Sequence, residues 1–130
     1  MNEEKNVMRK FDTGATRNTD VGKNDYEGFL SPSVIESYGN YMTKHRKQAD
    51  GQLRDSDNWQ KGIPKSAYMK SLWRHFLDMW FMHRGYKRYD DITKEELTIE
   101  GVLCAILFNV MGYLHETLKT TKEEEKWMTH

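Results

Sequence analysis

Apolar positions recur at helical spacing in three stretches of the chain, and no stretch alternates at strand spacing. Val34, Ile35, Tyr38, Tyr41 and Met42 share one face of a helix predicted over residues 32–47, with Glu36, Asn40, Lys44 and Arg46 on the other. Ser31-Pro32 starts it, the serine as N-cap and the proline at the first helical position, where its missing N–H costs nothing. A second helix, over 65–83, is apolar nearly all round, with Leu72, Trp73, Phe76, Leu77, Trp80 and Phe81 among its residues. Such a helix belongs at the centre of a fold or at a subunit interface, and Gly85 stops it. Thr93 followed by Glu96 resembles a capping box, which predicts a third helix over 94–119. The tail from Thr121 to His130 extends that helix or forms a short fourth one.

Between these stretches the pattern breaks. Residues 1–28 are polar and rich in Gly, Asn, Asp and Thr, with Phe11, Val21 and Tyr26 as scattered anchors, so they read as an extended arm that is ordered only by docking. Residues 29–130 form the helical domain. Inside it, QADGQLRDSDNWQKGIP (48–64) has no amphipathic period, and a loop this long in so small a domain is either disordered or functional. Leu53 and Trp59 argue against simple disorder. The expected fold is all-α, a bundle of three long helices plus a short C-terminal helix. Three helices make a thin bundle, so pairing with further copies, as a dimer or tetramer, is the expected way to cover the second helix.

Composition narrows the partners. In 130 residues, 37% hydrophobic and with mean hydropathy −0.91, 20 Lys and Arg balance 20 Asp and Glu. A net charge of zero removes the basic excess that a nucleic-acid polymer or an anionic membrane surface attracts. The single cysteine, Cys104, sits in an apolar run and reads as an inert core thiol. It excludes a disulfide framework and a multi-cysteine zinc site, which fits a reducing compartment. The first residues lack a basic head followed by an apolar segment, and the longest apolar run breaks at Asn109, short of the ~20 residues of a membrane span. A soluble cytoplasmic protein is expected.

Several constellations carry potential chemistry. Ser71, His75 and Asp78 lie on one stripe of the second helix, because residues three and four apart overlie one another. The pair shares a metal, or Asp78 orients the imidazole, or the stripe lines a helix contact. On the third helix Gly101, Ala105, Asn109, Gly112 and Glu116 form a stripe of small and polar residues beside Glu100 and His115, suited to close packing or to a ligand. Glu36, Asn40, His75, Asp78, Glu100 and Asn109 together offer oxygen and nitrogen ligands from three helices. For Mg²⁺, which prefers oxygen, Glu36, Asp78 and Glu100 lead. In the loop, Arg54 and Lys61 suit phosphates and Trp59 suits stacking on a base, unless the loop is simply a solvated charged surface. Sharper motifs are missing: Asp55-Ser56-Asp57 lacks the glycine and glutamate of a calcium loop, and Lys61-Gly62 reverses the order of a phosphate loop. There is no His-Asp dipeptide and no nucleophile elbow.

Four segments are distinctive: FDTGATRNTDVGKNDYEGFLSP (11–32), HRKQADGQLRDSDNWQKGIP (45–64), RHFLDMWFMHRG (74–85) and LCAILFNVMGYLHE (103–116). They resemble the phage dATP/dGTP diphosphohydrolase N-terminal-domain family, related to the phage MazZ enzymes and more distantly to MazG-like all-α nucleotide pyrophosphohydrolases. The most telling pieces are Gly14-Ala15-Thr16-Arg17, Gly22-Lys23, Asn58-Trp59-x-Lys61-Gly62, Arg74-His75 and Asn109. The resemblance implies a helical, oligomeric, Mg²⁺-dependent enzyme that cleaves a purine deoxynucleoside triphosphate to monophosphate and pyrophosphate in the infected bacterial cytoplasm. It makes His75, Asp78 and Glu100 the catalytic candidates and Glu36, Asp78 and Glu100 the metal ligands. Arg54, Lys61 and Arg74 would neutralise phosphates, with Asn58, Trp59 and Asn109 in the substrate site. MazG-like enzymes carry Glu-x-x-Glu and Glu-x-x-Asp pairs on facing helices. Here Glu36 is followed at the third position by Gly39 and Glu100 by Leu103, leaving only His75-x-x-Asp78. A chain that keeps the pocket and loses these ligands binds a nucleotide without turning it over, which is the alternative function.

Overall fold

In a computed structural model, residues 8–128 are described, with side chains as far as Lys122. The chain divides into two compact units, one ending at Pro32 and the other beginning at Ser33.

The N-terminal unit corrects the expectation of an extended arm. Two short strands, β1 (Met8–Lys10) and β2 (Thr16–Asn18), pair antiparallel with Met8 opposite Asn18, Arg9 opposite Arg17 and Lys10 opposite Thr16. The hairpin is closed by Phe11 N–H to Ala15 O at 2.9 Å and Gly14 N–H to Phe11 O at 2.8 Å, with Gly14 at φ 89°, a conformation open mainly to glycine. Three-residue strands are too short to show alternation, so turn chemistry specifies this hairpin and a periodicity reading misses it. A single helical turn follows, α1 (Tyr26–Phe29), capped by Asp25, whose Oδ1 accepts from Gly28 N–H at 3.0 Å.

The second unit contains α2 (Pro32–Lys44, which begins one residue before the unit boundary), α3 (Lys65–His83) and α4 (Ile99–Met128). The helix expected over 32–47 ends at Lys44, because Arg54 N–H donates to Arg46 O at 2.7 Å and Lys47 bridges to Leu53, drawing the chain into a hairpin-like loop. At the end of α3, Gly85 N–H reaches Met82 O at 3.0 Å and Tyr86 N–H reaches Phe81 O at 3.0 Å, a Schellman motif with Gly85 at φ 89°. The Phe81 and Tyr86 rings meet edge to face at 5.7 Å, the apolar contact that accompanies such a stop.

α4 starts later and runs further than the sequence suggests. Asp90 Oδ1 accepts from the N–H groups of Ile92 and Thr93, Lys94 adopts φ 63°, and Tyr89 bridges to Glu96, so residues 90–97 form a turn and the Thr93–Glu96 capping box does not exist. Thr98 is the cap instead, accepting from Gly101 N–H at 3.1 Å. From Ile99 the helix continues for 30 residues to Met128 without a separate C-terminal helix. The protein is therefore not an all-α bundle of three long helices plus a short terminal one: the described residues form four α-helices, one a single turn, and a two-stranded sheet. The side chain of Trp127, in the tail, lies outside the described residues.

α3 and α4 run antiparallel: Ile63, just before α3, meets Glu116, while Tyr68 meets Gly112 and Phe108. The core is small, with Tyr68, Val102, Cys104, Ala105 and Asn109 buried. Gly112 lets the helices close, since a Cβ there would overlap the Tyr68 ring. α2 touches α4 at Ser37, whose Oγ lies 3.8 Å from Cys104 Sγ. Outside this core, Trp73, Phe76, Leu77 and Trp80 on α3 and Leu103, Val110, Met111, Leu114 and Leu118 on α4 are exposed at helical spacing. Residues 99–122 are long and apolar enough to cross a bilayer by length and composition, contrary to the sequence expectation, and only 28% of the apolar stretch is covered in one chain.

Candidate functional site

The loop between α2 and α3 is built from turns that leave its functional side chains at one edge of α4. Gly51 at φ 83° and the Asp50 carboxylate, which accepts from Gln52 N–H at 2.9 Å, make the tight reversal between the bridged residues Lys47 and Leu53. Arg46 Nε donates to Arg54 O at 2.9 Å, so the Arg54 backbone is fixed while its own guanidinium is exposed. A 3₁₀ turn, Asn58–Lys61, follows, and at three residues per turn the Asn58 and Lys61 side chains overlie one another. Gly62, at φ 108°, redirects the chain into Pro64 and α3.

This turn is seated on α4. The Trp59 and His115 rings meet edge to face at 4.7 Å, and Ile63 N–H donates to Glu116 Oε1 at 3.3 Å. Glu116 Oε2 lies 3.5 Å from Lys119 Nζ, and Lys119 comes up beside Gly62. Lys65 Nζ sits over the Tyr113 ring at 5.6 Å from its centre. Lys61 reaches Asp55 at 3.8 Å, a solvent-exposed pair of little strength. Trp59, Gly62 and Ile63 thus lie against His115, Lys119 and Glu116 of α4, with Lys61 at the end of the same turn. Sequence reading did not select Lys65 or Lys119. Their signals were weak: Lys65 only opens a helix, and Lys119 lies one turn beyond His115 on a helix whose polar residues face several ways.

The α3 stripe forms a second group. His75 and Asp78 are half-buried, and the Asp78 carboxylate accepts from Arg88 Nε at 2.9 Å while the guanidinium packs 4.3 Å over the Phe81 ring. Burial lowers the His75 pKa below its ordinary value; Asp78 opposes this, and Arg74 and His45 add to it. His45, stacked on Tyr41 at 4.0 Å with Nδ1 at 2.9 Å from Tyr41 O, stands close enough to be felt. Arg74 is exposed.

The remaining candidates stay apart from both groups. Asn109 is only 4% exposed and donates through Nδ2 to Ala105 O of its own helix at 2.7 Å. Glu36 on α2 and Glu100 in the first turn of α4 are exposed and make no ion pair among the described residues. Among the described residues no three His, Cys, Asp or Glu side chains gather as a metal-holding group. Asp78 is engaged by Arg88 and the two glutamates lie on separate helices, so the candidate ligands Glu36, Asp78 and Glu100 do not come together as a Mg²⁺ site within one chain. Nearby, the Tyr68 hydroxyl is buried without a hydrogen-bond partner, its pKa raised by burial and by the Glu116 charge.

No family model, curated protein or solved structure matches this chain.

Proposed function

We propose that the helical unit binds a purine deoxynucleoside triphosphate, or a related small nucleotide, at the Asn58–Lys61 edge and acts as a pyrophosphohydrolase-like protein in a homo-oligomer. The supporting observation is the half-buried Trp59 docked on His115, with Lys119 beside Gly62 and Lys61 at the end of the same turn. An indole held by one neighbour keeps surface for a base, and lysines supply point charges for a phosphate chain. The bare apolar stripes of α3 and α4 support the oligomer, since contiguous exposed apolar surface marks an interface. Mg²⁺ enters this reading only with a second copy, because one chain does not assemble the ligands; Glu36 and Glu100 are the carboxylates left open to it.

The test is to incubate the purified protein with each deoxynucleoside triphosphate, with and without Mg²⁺, and to follow both melting temperature and pyrophosphate release. Ligand at 100 times its dissociation constant adds about 2.7 kcal/mol of stability. Trp59→Ala is expected to abolish this gain. No thermal shift and no pyrophosphate with any nucleotide would sink the proposal.

A second reading is favoured by the Asp78–Arg88 pair, which engages one of the candidate metal ligands: the chain holds an intact nucleotide, sequestering a signal without hydrolysing it. It predicts stoichiometric ligand recovered unchanged after denaturation, with no Mg²⁺ requirement. Turnover lost in Glu100→Ala would exclude it.

A further inference from the structure

The N-terminal unit carries its own concave basic face, a cavity of about 360 Å³ lined by Met8, Arg9, Thr16, Arg17, Asn18 and Lys23. Residues directly opposed in an antiparallel ladder project to the same face with Cβ atoms about 5 Å apart, and like charges so placed repel. The β1–β2 register sets Arg9 opposite Arg17. Arg9 is compensated within the unit: it pairs with Asp20 at 3.3 Å, donates through Nε to Asn18 O at 3.1 Å and lies over the Phe11 ring at 5.5 Å. Arg17 and Lys23 have no such compensation among the described residues. Lys23 is held at this face by a turn in which its N–H donates to Asp20 O at 2.9 Å, with Gly22 at φ 82°. Three cations therefore line one cavity, and among the described residues only Arg9 is matched by a carboxylate.

We propose that this face is a phosphate-binding site that takes an oligophosphate chain, free or as part of a small nucleotide, and that it works independently of the site proposed on the helical unit. The Arg17 guanidinium and the Lys23 ammonium match the planar and point-charge donors that phosphate oxygens accept, while Arg9, already paired with Asp20 and Asn18, adds its positive charge. The cavity is of small-molecule size, at the lower end of the ~300–1,000 Å³ typical of ligand pockets. A nucleic-acid polymer would call for a longer cationic track, and the chain as a whole carries no net positive charge.

The experiment uses the full chain and inorganic tripolyphosphate as the probe, with calorimetry for affinity and amide chemical shifts for location. The expected result is a set of shifts at Arg9, Arg17 and Lys23 that persists in Lys61→Gln, so the hairpin site is scored separately from the helical one. Arg17→Gln and Lys23→Gln are each expected to weaken this component about tenfold, with unchanged circular dichroism. An ATP arm distinguishes a free oligophosphate from a nucleotide: equal affinity assigns recognition to the phosphates alone, and tighter ATP binding adds the nucleoside, either result supporting the site. Shifts confined to the helical unit, unchanged affinity in both variants, or tighter binding of a single-stranded oligonucleotide than of tripolyphosphate would overturn the proposal.

Discussion

α3 and α4 each present two apolar faces, and the two faces have opposite fates. Along the inner seam, Tyr68 drops onto Gly112 and packs against Phe108, and Val102, Ala105 and Asn109 are buried on α4. Along the outer stripes, Trp73, Phe76, Leu77 and Trp80 on α3 and Val110, Met111, Leu114 and Leu118 on α4 have more than a third of their surface in solvent. Small residues specify the seam because they allow backbones to approach, while the large residues on the outer stripes are left uncovered among the described residues.

Removing the seam's anchor gives the largest expected effect. Tyr68→Ala is expected to cost about 3–5 kcal/mol, read as a loss of cooperative thermal unfolding or a large fall in denaturant midpoint. Tyr68→Phe separates packing from polarity: the hydroxyl has no partner, so its removal is expected to be neutral or mildly stabilising. A phenylalanine variant as damaged as the alanine one would show that the hydroxyl, not the ring, holds the seam.

The outer stripes come next. Substituting Trp73 and Trp80 by serine removes 65% and 51% exposed indoles whose ring contacts in the chain are with near neighbours, Trp73 with Phe76 and Trp80 with Arg84. If a second copy covers them, sedimentation is expected to show the mass falling to that of one chain, with about 2 kcal/mol or more lost from association per anchor. An unchanged mass distribution would make the two stripes equivalent to ordinary solvent-facing surface. A smaller effect returns to the seam: Gly112→Ala forces a methyl against the Tyr68 ring and is expected to cost about 1–3 kcal/mol in a thermal melt.

His75 lies at the boundary between the two faces and gives the smallest effect. Its folded pKa is lowered, chiefly by burial, so below about 6.5 the unfolded chain takes up a proton first and the stability falls. The loss accumulates as pH drops from about 6.5 through the folded pKa and then levels, once both states are protonated. Melts at pH 7.5 and 5.5 are expected to show a larger acid penalty in the wild type than in His75→Gln. Identical penalties would place the titrating group elsewhere.

Much of the helical unit was legible in the residues. The apolar density of 65–83 and Gly85 beyond it delimit α3, and the small-residue stripe of α4 indicates a close contact. Trp59 in an aperiodic loop marked that loop as ordered, and it is docked on His115. Other features escaped because they depend on partners distant in sequence. Nothing near Asp78 announces Arg88 as its counter-ion, and nothing near Asn109 decides whether its amide faces a ligand or its own helix. The start of α4 went astray for a local reason: Asp90 outcompetes Thr93 by accepting two backbone N–H groups, which turns the chain before the helix begins.

By itself, then, the sequence determined periodicity, stops, turns and overall charge, because those are properties of neighbouring residues and of sums. Only the tertiary structure decided which charges are spent. It committed Asp78 to Arg88, left Glu36 and Glu100 open, brought Lys119 beside Gly62 at the turn that carries Trp59 and Lys61, and set Arg9 against Arg17 across a hairpin. Electrostatic pairing acts over a few ångströms of space, and the chain reaches those distances only after it has folded.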